Sequence, residues 1–427
     1  MSERIVVVGG GLAGLRCAER LRELRFDGEL VIVGNEPELP YHRPALSKQL
    51  LTGATDPGEM MLARLDEIDA EWRFNTPATH LQPGRQVVHL PGAEELPYDG
   101  LVIASGVEPR RLSGVPHGHP RVVVVRTLAD AAELRDNLAA DHGPVAVLGS
   151  GFIGCEVAAS LREIGREVTI IGRSAHLLGE VVGKHIGQKL SALHRSRGVR
   201  LALGASIDDW RTTPNGLRLR SSDGWILDVS CVVVAVGTVP SISWLRGAKL
   251  PLDDGVVCAP TCHVLGMANI VAAGDVAQWP NLRFDETPRR VEHWLNAVEM
   301  GRAAAENLLA GPQASRPFAP VPRFWSEQHG MRIQAGGIPK LGTDTVALAS
   351  PVGGERPVTG FVRKGRLVGV VGLDSPSAVL HWTNEIAEQN PVSHPGETET
   401  PDAPIAIDHA RRHRGARRRR RDVVAGG

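Results

Sequence analysis

Apolar runs and amphipathic segments alternate along the first two thirds of the chain. An apolar run at residues 5–8 precedes a segment of helical periodicity, and a second apolar run follows it. The same order returns later in the chain. Short apolar runs bounded by glycine are typical of parallel strands buried on both faces. The pattern therefore predicts two copies of a β-α-β unit, with segments at 5–8, 12–25 and 29–34 in the first copy and at 144–148, 152–164 and 167–171 in the second.

The rest of the pattern predicts the strands that complete these units and a further domain beyond them. From residue 318 onward, shorter strands and turns replace the alternation of strand and helix. This change is typical of a small α+β domain. The further strands are predicted at 86–90, 100–104, 231–236, 270–273, 346–349, 358–363 and 367–373, and a last helix at 378–389.

The predicted fold class is α/β, with two Rossmann-type nucleotide-binding domains and a small α+β C-terminal domain. The second nucleotide-binding domain is inserted into the first. The predicted division assigns residues 1–108 and 237–316 to the first, discontinuous domain, 109–236 to the second, 317–391 to the C-terminal domain and 392–427 to a disordered basic tail.

Charge and hydropathy narrow the range of partners and locations. The chain has 48 Lys and Arg against 48 Asp and Glu, so its net charge gives no reason to expect nucleic acid or an anionic membrane as a partner. No apolar run approaches the ~18 residues needed to cross a bilayer. Because a strand begins at residue 5, there is no space for a secretory signal before it. We therefore expect a cytoplasmic protein, either a monomer or a weak homodimer.

The last segment, 392–427, has no hydrophobic periodicity and is rich in Pro, Thr, Glu and Arg. It contains 8 Arg against 5 acidic residues, with Arg417 to Arg421 in one run. Such a composition cannot bury enough apolar surface to fold. The Arg run is interpreted either as a solvated tail or as an electrostatic contact with an acidic partner protein or nucleic acid.

A glycine fingerprint follows the first strand. Gly9, Gly11 and Gly14 fit G-x-G-x-x-G between a strand and a helix, and Glu36 follows the next strand. In this motif the first glycine makes a tight turn, the second admits a pyrophosphate, and the third lets the helix pack against the strand. A carboxylate at the end of the second strand accepts hydrogen bonds from ribose hydroxyls. The motif predicts an FAD site.

A second fingerprint, Gly149, Gly151 and Gly154, predicts a site for a nicotinamide dinucleotide. No acid recurs after its second strand, where Gly172 and Arg173 stand. A missing acid removes repulsion toward a 2′-phosphate, and an arginine can pair with that phosphate. The sequence thus favours NADPH over NADH, although Arg173 could also be a plain surface arginine.

The cysteines argue against thiol chemistry. They are odd in number and show no C-x-x-C or zinc-type spacing, and residues 36–60 contain none. A disulfide reductase would need a redox pair facing the flavin. We therefore expect reduced structural thiols and no metal site; the five are Cys17, Cys155, Cys231, Cys258 and Cys262.

Several motifs resemble those of the FAD-dependent ferredoxin, putidaredoxin and rubredoxin reductases, which have a glutathione-reductase-like fold and supply cytochromes P450 and ring-hydroxylating dioxygenases. The resemblance covers residues 1 to about 390. Its motifs are Tyr41-His42-Arg43-Pro44-Ala45-Leu46-Ser47-Lys48, Ala104-Ser105-Gly106, Gly151-Phe152-Ile153-Gly154-Cys155-Glu156, Ala235-Val236-Gly237 with Pro240, Ala273-Gly274-Asp275-Val276, Val291-Glu292-His293-Trp294 with Asn296-Ala297, and Phe324-Trp325-Ser326-Glu327-Gln328.

The resemblance implies roles for individual residues. Asp275 would bind the ribityl chain of FAD, Arg43 would contact FAD, and Lys48 would place its ammonium near the flavin ring. Glu156 would lie beside the nicotinamide and pair with that lysine. The other implied contacts are Ala104, Gly106 and Trp294 for FAD, Gly237 for NAD(P), and Trp325 as an aromatic lining the flavin; Lys48, Glu156 and Trp325 are the implied catalytic residues.

The function implied is transfer of electrons from NAD(P)H through FAD to a ferredoxin-type iron–sulfur protein that serves a cytochrome P450 or oxygenase. No acid–base residue has to break a bond in such a reaction, because the cofactors carry the chemistry. Two alternatives stay open: a redox-sensing FAD/NADH-binding protein of the apoptosis-inducing-factor type, and a disulfide or monodehydroascorbate-type reductase.

Overall fold

The computed structural model describes residues 3–64 and 68–390. The predicted disordered tail, 392–427, therefore lies outside the described residues. Within the part described, no helix is long and apolar enough to cross a membrane.

The first part of the chain forms a parallel sheet with short strands beside it. Its elements are β1 Arg4–Val8, α1 Leu12–Glu23, β2 Glu29–Val33, α2 Gln49–Thr52, β3 Glu71–Arg73, β4 His80–Gln82, β5 Val87–His89, β6 Glu95–Pro97, β7 Gly100–Ile103 and β8 Val107–Pro109.

The inserted part repeats the strand–helix–strand order and adds an antiparallel sheet. Its elements are β9 Val122–Val123, α3 Leu128–Ala140, β10 Val145–Leu148, α4 Phe152–Glu163, β11 Val168–Gly172, α5 Gly179–Val182, α6 Lys184–Ser196, β12 Arg200–Leu203, β13 Ile207–Thr213, β14 Gly216–Ser221, β15 Ile226–Val229 and β16 Cys231–Val234.

The chain then returns to the first sheet and continues into a C-terminal sheet. These elements are β17 Thr238–Pro240, β18 Leu252–Asp253, β19 Gly255–Val257, β20 Ile270–Ala272, β21 Ala277–Pro280, β22 Pro288–Arg289, α7 Trp294–Ala314, β23 Arg323–Gln328, β24 Met331–Gly337, β25 Asp344–Leu348, β26 Val358–Arg363, β27 Arg366–Leu373 and α8 Pro376–Gln389.

Two parallel sheets form the framework. The first has the strand order β20-β7-β1-β2-β3 and the second β12-β11-β10-β16-β9. Their central strands are apolar throughout because both faces are buried: Val6 and Val7 in β1, and Val145 and Val147 in β10, are fully inaccessible. β20 pairs with β7 across the insertion, so the first sheet takes strands from both sides of the inserted segment.

The C-terminal sheet is antiparallel, with the order β23-β24-β27-β26-β25, and α8 packs against β24 and β27. Hydrophobic residues of this sheet and of the inserted unit form one continuous core. The core brings β23 against the start of α4, which becomes important at the site.

The predicted α/β class and both β-α-β units are confirmed, and each predicted element is found within two residues of its bounds. Helix α1 ends earlier than predicted because the chain turns at Arg25, whose φ is +63°. The pattern did not predict the sheet of β13, β14 and β15 or the strands β23 and β24. These strands alternate exposed and buried positions over short lengths, a weak periodic signal.

Candidate active site

The first glycine of each fingerprint makes the turn from strand to helix. Gly9 has a φ of +129° and Gly149 a φ of +120°. A Cβ on Gly9 would collide with the carbonyl of Ala104, and one on Gly149 with the carbonyl of Ala235. Both positions therefore require glycine, as the fingerprints predicted.

The third glycine of each fingerprint brings the helix close to the strand. A Cβ on Gly14 would collide with the carbonyl oxygen of Gly9, and a Cβ on Gly154 with that of Gly149. The close approach of helix and strand expected from the motif is therefore present in both units.

The middle glycines face open space. A Cβ on Gly11 or Gly151 would meet no atom within 4 Å. Each of these residues is the N-cap of its helix, α1 or α4, with no side-chain cap and no acidic residue in the first turn. The free N–H groups and positive end of each helix thus face a cradle of the kind that holds a pyrophosphate.

The units differ after their second strands. In each, the first glycine donates its amide hydrogen to the strand end, to Val33 O in one and Ile171 O in the other, both at 2.8 Å. Three residues beyond these carbonyls stand Glu36 and Ser174. The structure therefore places Ser174, rather than Gly172, at the position of Glu36. The acid is still missing from the second unit.

Glu36 is held by the loop that follows it. Tyr41 Oη donates to Glu36 Oε2 at 2.5 Å, and Arg43 forms an ion pair with the same carboxylate. Tyr41 Oη also accepts from the backbone N–H of Leu128 at 3.2 Å, and Arg43 donates to the carbonyl of Arg126 at 2.8 Å. The predicted residues Glu36 and Arg43 are thus brought together, and both are tied to the inserted unit.

Arg126 completes a charged cluster that sequence reasoning missed. Its Nη2 lies 3.9 Å from Asp275 Oδ2, and a Cβ on Gly106 would lie 3.5 Å from the same nitrogen. Burial and the neighbouring Arg43 lower the pKa of Arg126. Burial raises the pKa of Asp275 to about 6. Among the described residues, the carboxylate that Arg126 pairs with is beyond hydrogen-bond distance, so its guanidinium is available to an anion such as a pyrophosphate. The one feature of the sequence that could have marked Arg126 is its position directly before the capping box of α3.

Lys48 and Glu156 form a buried ion pair. Lys48 Nζ lies 2.6 Å from Glu156 Oε2, and the glutamate side chain is 5% exposed. Ser47 Oγ donates to the same oxygen at 2.7 Å, and Ser326 Oγ donates to Glu156 Oε1 at 2.6 Å. Ser160, one turn along α4, donates to the carbonyl of Ser47 at 2.8 Å. The predicted pair is therefore joined, with two serines that were not predicted as site residues.

The N-terminus of α7 lies at the same centre. Trp294, its first residue, meets the ring of His42 edge-on at 4.9 Å. The ring nitrogen His293 Nδ1 and the amide oxygen Asn296 Oδ1 are buried and have no hydrogen-bond partner among the described residues. Burial lowers the pKa of His293 to about 4. These two atoms leave hydrogen-bonding capacity for a ligand or an ordered water at this helix N-terminus.

The C-terminal sheet closes the site from the other side. Phe324 in β23 packs against Phe152, the first residue of α4, at 5.0 Å and against His293 at 4.9 Å. Trp325, the next residue of β23, is half-buried and precedes Ser326. The predicted aromatic residues Trp294 and Trp325 thus lie on the two elements that meet at Phe324.

The second unit offers a more open nucleotide site. Arg173, directly after β11, is exposed, and no described residue pairs with it. Gly237 is exposed, with a φ of +95° and no atom within 4 Å of an added Cβ. Ser174 Oγ donates to Glu180 Oε1 at 2.9 Å. Glu180, which was not predicted as a site residue, is an acidic neighbour supplied by α5 rather than by the strand end.

Comparison with known proteins agrees with this double site. Residues 3–301 match the model of a family described as pyridine nucleotide-disulphide oxidoreductase, and residues 323–401 match a reductase C-terminal domain. The chain belongs to the pyridine nucleotide-disulphide oxidoreductase family. The predicted resemblance to ferredoxin reductases is confirmed, and with it the enzyme class.

Individual relatives show which members of the family this oxidoreductase is similar to. It is 34% identical over 381 residues to the ferredoxin–NAD(+) reductase component of an anthranilate 1,2-dioxygenase system from Burkholderia cepacia, covering 87% of this chain and 91% of that protein. It is 31% identical over 379 residues to the corresponding subunit of a benzene 1,2-dioxygenase system from Pseudomonas putida, covering 88% and 90%. A putidaredoxin reductase, solved in covalent complex with putidaredoxin, superposes with a TM-score of 0.84 at 26% identity, covering 91% and 93%.

Membership in this family implies a flavin and a pyridine nucleotide. It does not bring disulfide chemistry to this oxidoreductase. All five cysteines are buried and free. Burial raises the pKa of Cys17 to about 12 and that of Cys155 further still. Such thiols are poor nucleophiles because the thiolate is the reactive form.

Proposed function

We propose that this chain is an NADPH-preferring ferredoxin reductase: it binds FAD in the first unit and NADPH in the second, and passes electrons to a ferredoxin-type iron–sulfur protein. The observation that carries the proposal is the buried Lys48–Glu156 pair, which joins the first unit to helix α4 of the second. Bound FAD would supply the chemistry by accepting a hydride and releasing electrons one at a time. The residues of the chain supply binding, orientation and charge.

The first unit is suited to keeping its nucleotide. Glu36 would accept hydrogen bonds from the adenosine ribose, and Arg43 and Arg126 would face the pyrophosphate at the glycine loop. Asp275 would bind the ribityl chain. Because Glu36 and Arg43 are already fixed by Tyr41 and by the backbone around Arg126, little side-chain freedom would be lost on binding.

The centre is suited to a hydride transfer. Lys48 would place its ammonium near the flavin ring, where a cation favours the reduced, anionic form. Glu156 would stand beside the nicotinamide and hold Lys48 in place. Trp294 and Trp325 would line the ring from α7 and β23 and exclude water, which strengthens the charge interactions inside.

The second unit is suited to a coenzyme that exchanges. Arg173 is exposed and available for a 2′-phosphate, and Ser174 stands where the first unit has its acid. Glu180 is the opposing charge, because its carboxylate would repel a 2′-phosphate near Ser174. We therefore propose a modest preference for NADPH, set by the balance of Arg173 and Glu180.

The acceptor is proposed from the relatives. Two of them are named as ferredoxin–NAD(+) reductase components of dioxygenase systems, and a structural neighbour is bound to putidaredoxin. For this chain we propose a ferredoxin-type protein that serves an oxygenase or a cytochrome P450. The burial of all five thiols supports transfer to a protein rather than to a disulfide.

Two measurements test the proposal. Mixing the flavin-loaded protein anaerobically with NADPH or NADH should bleach the flavin absorbance with both, and faster with NADPH. Cytochrome c reduction should then depend on an added ferredoxin, tested as a panel. No bleaching with either coenzyme contradicts the enzyme assignment. Slow bleaching to a long-lived charge-transfer state, with no electron transfer to any ferredoxin, would instead support a redox sensor.

A further inference from the structure

A chain of hydrogen bonds runs from Glu156 away from the ion pair. Ser326 Oγ, which donates to Glu156, accepts from Gln328 Nε2 at 3.1 Å. Gln328 Oε1 lies 3.0 Å from His194 Nε2, and His194 Nδ1 lies 3.2 Å from His329 Nε2. Ser326, Gln328 and His194 are almost completely inaccessible, whereas His329 is half-buried. These hydrogen bonds thus link the ion pair to the edge of the molecule.

The carboxylate fixes the direction of every bond in the chain. An ionised carboxylate only accepts, so Ser326 donates to Glu156 and receives from the amide of Gln328. The amide oxygen of Gln328 must then accept from His194 Nε2. The remaining nitrogen of a neutral His194 accepts from His329 Nε2. The network therefore assigns one ring tautomer to each histidine.

Both histidines are suited to this neutral arrangement. Burial lowers the pKa of His194. Burial, together with His194, Arg197 and Arg162, lowers the pKa of His329 to about 4. At neutral pH the groups facing the two rings thus favour the uncharged forms that the donor order requires.

The hydrogen-bonded network joins three parts of the fold. Lys48 belongs to the first unit, Glu156 and His194 to the inserted unit, and Ser326 and Gln328 to β23 of the C-terminal sheet. His329 lies in the turn after β23, with a φ of +53° that few side chains adopt. With Gly330, whose φ is +76°, His329 forms the two-residue turn of the β23–β24 hairpin, which requires positive φ, so the hairpin holds His329 at the end of the network.

We infer that Ser326, Gln328, His194 and His329 are positioning residues for hydride transfer, which orient Glu156 so that its other oxygen pairs with Lys48. The inference rests on the proposed function and deepens it. None of the four has to touch the flavin or the coenzyme. Their effect passes through Glu156, so it should appear in the rate of flavin reduction and in the flavin potential, and not in coenzyme affinity.

The test is a double-mutant cycle on Ser326→Ala and Gln328→Leu, read by stopped-flow flavin reduction at saturating NADPH. Losing a donor to a positioned group should slow reduction about tenfold for Ser326→Ala and about fivefold for Gln328→Leu. Because Gln328 acts through Ser326, adding Gln328→Leu to Ser326→Ala should slow it little further, a coupling that independent sites do not show. The Kd for NADPH should stay unchanged. Without the hydroxyl donor of Ser326, the negative charge of Glu156 is less well compensated. The flavin midpoint potential should therefore become more negative.

Gln389→Leu is the matched control, since Gln389 is in α8 of the same domain and its side chain accepts from the backbone of Leu367. It should keep the wild-type reduction rate and potential. His329→Asn tolerates the positive φ and should give the smallest slowing, which covers the case in which Gln328→Leu fails to fold. Additive effects in the cycle, or a loss of thermal stability with wild-type rate and potential, would overturn the inference. Wild-type flavin that NADPH does not reduce would instead overturn the proposed function.

Discussion

The two dinucleotide-binding units share a backbone plan and differ in the residues beyond their second strands. Both place glycines where a Cβ would collide with the neighbouring strand, and both leave the N-terminus of a helix open beside the middle glycine. In the first unit Glu36 is fixed by Tyr41 and Arg43, whereas in the second Arg173 is exposed and Ser174 donates to Glu180. The shared motif thus makes two similar open helix N-termini, while the residues beyond the strand give the first unit a fixed carboxylate and the second an exposed arginine.

The largest effect is expected from replacing glycines within the loop of the first unit. Gly9→Ala forces a Cβ into the carbonyl of Ala104 at a φ of +129°, and should lower the free energy of unfolding by more than about 3 kcal/mol. Gly11→Ala places its Cβ in open space, so it should keep the fold and lose bound flavin. Thermal unfolding and flavin content after gel filtration measure the two effects.

The middle glycine of the second unit provides the control. Gly151→Ala should keep its flavin and raise the KM for the coenzyme. Loss of flavin from Gly151→Ala, or retention of flavin by Gly11→Ala, would reverse the assignment of the two cradles.

The next effect concerns the pair that joins the units. Lys48→Met leaves the Glu156 carboxylate buried without its cation, which should cost about 3 kcal/mol of stability. It should also slow flavin reduction about a hundredfold, because the charge near the ring is lost. The double variant Lys48→Met/Glu156→Leu should regain much of the stability, measured by chemical denaturation, but not the rate. If the rate recovers with the stability, the pair has only a structural role.

A smaller effect is expected from Arg173 and Glu180, beyond the second strand of the inserted unit. Arg173→Ala should raise the KM for NADPH about tenfold, which is the loss of one charged contact of ~1.4 kcal/mol, and leave that for NADH unchanged. Glu180→Gln should lower the KM for NADPH, since it removes a negative charge beside Ser174. Steady-state kinetics with both coenzymes measure the shift. Equal changes for NADH and NADPH would show that neither residue faces a 2′-phosphate.

The smallest effect concerns the raised pKa of Asp275 in the first unit. The raised pKa of Asp275, about 6, means that the folded apoprotein holds a proton between pH ~4 and 6 that the unfolded chain releases. Stability of the apoprotein should therefore fall as pH rises through this window. Asp275→Asn should stabilise the apoprotein by about 1–2 kcal/mol at pH 7 and by little at pH 4, while weakening FAD binding. Unfolding midpoints of the apoprotein at both pH values, and flavin titration, check it; an equal gain at both would contradict the stated cause.

The plan of the molecule could be predicted from the amino-acid sequence alone. Local periodicity set the strands and helices of both β-α-β units, and the glycine spacings set the turns, because those signals depend only on neighbours in the chain. Motif resemblance named Lys48 and Glu156. The tertiary structure decided what surrounds them. Ser47 and Ser326 reach Glu156 from 109 and 170 residues away in the sequence, and no local pattern marks a serine that will be buried against a carboxylate. Likewise, only strand pairing showed that Ser174 stands where Glu36 does, since equivalence in space follows backbone hydrogen bonds rather than residue counts.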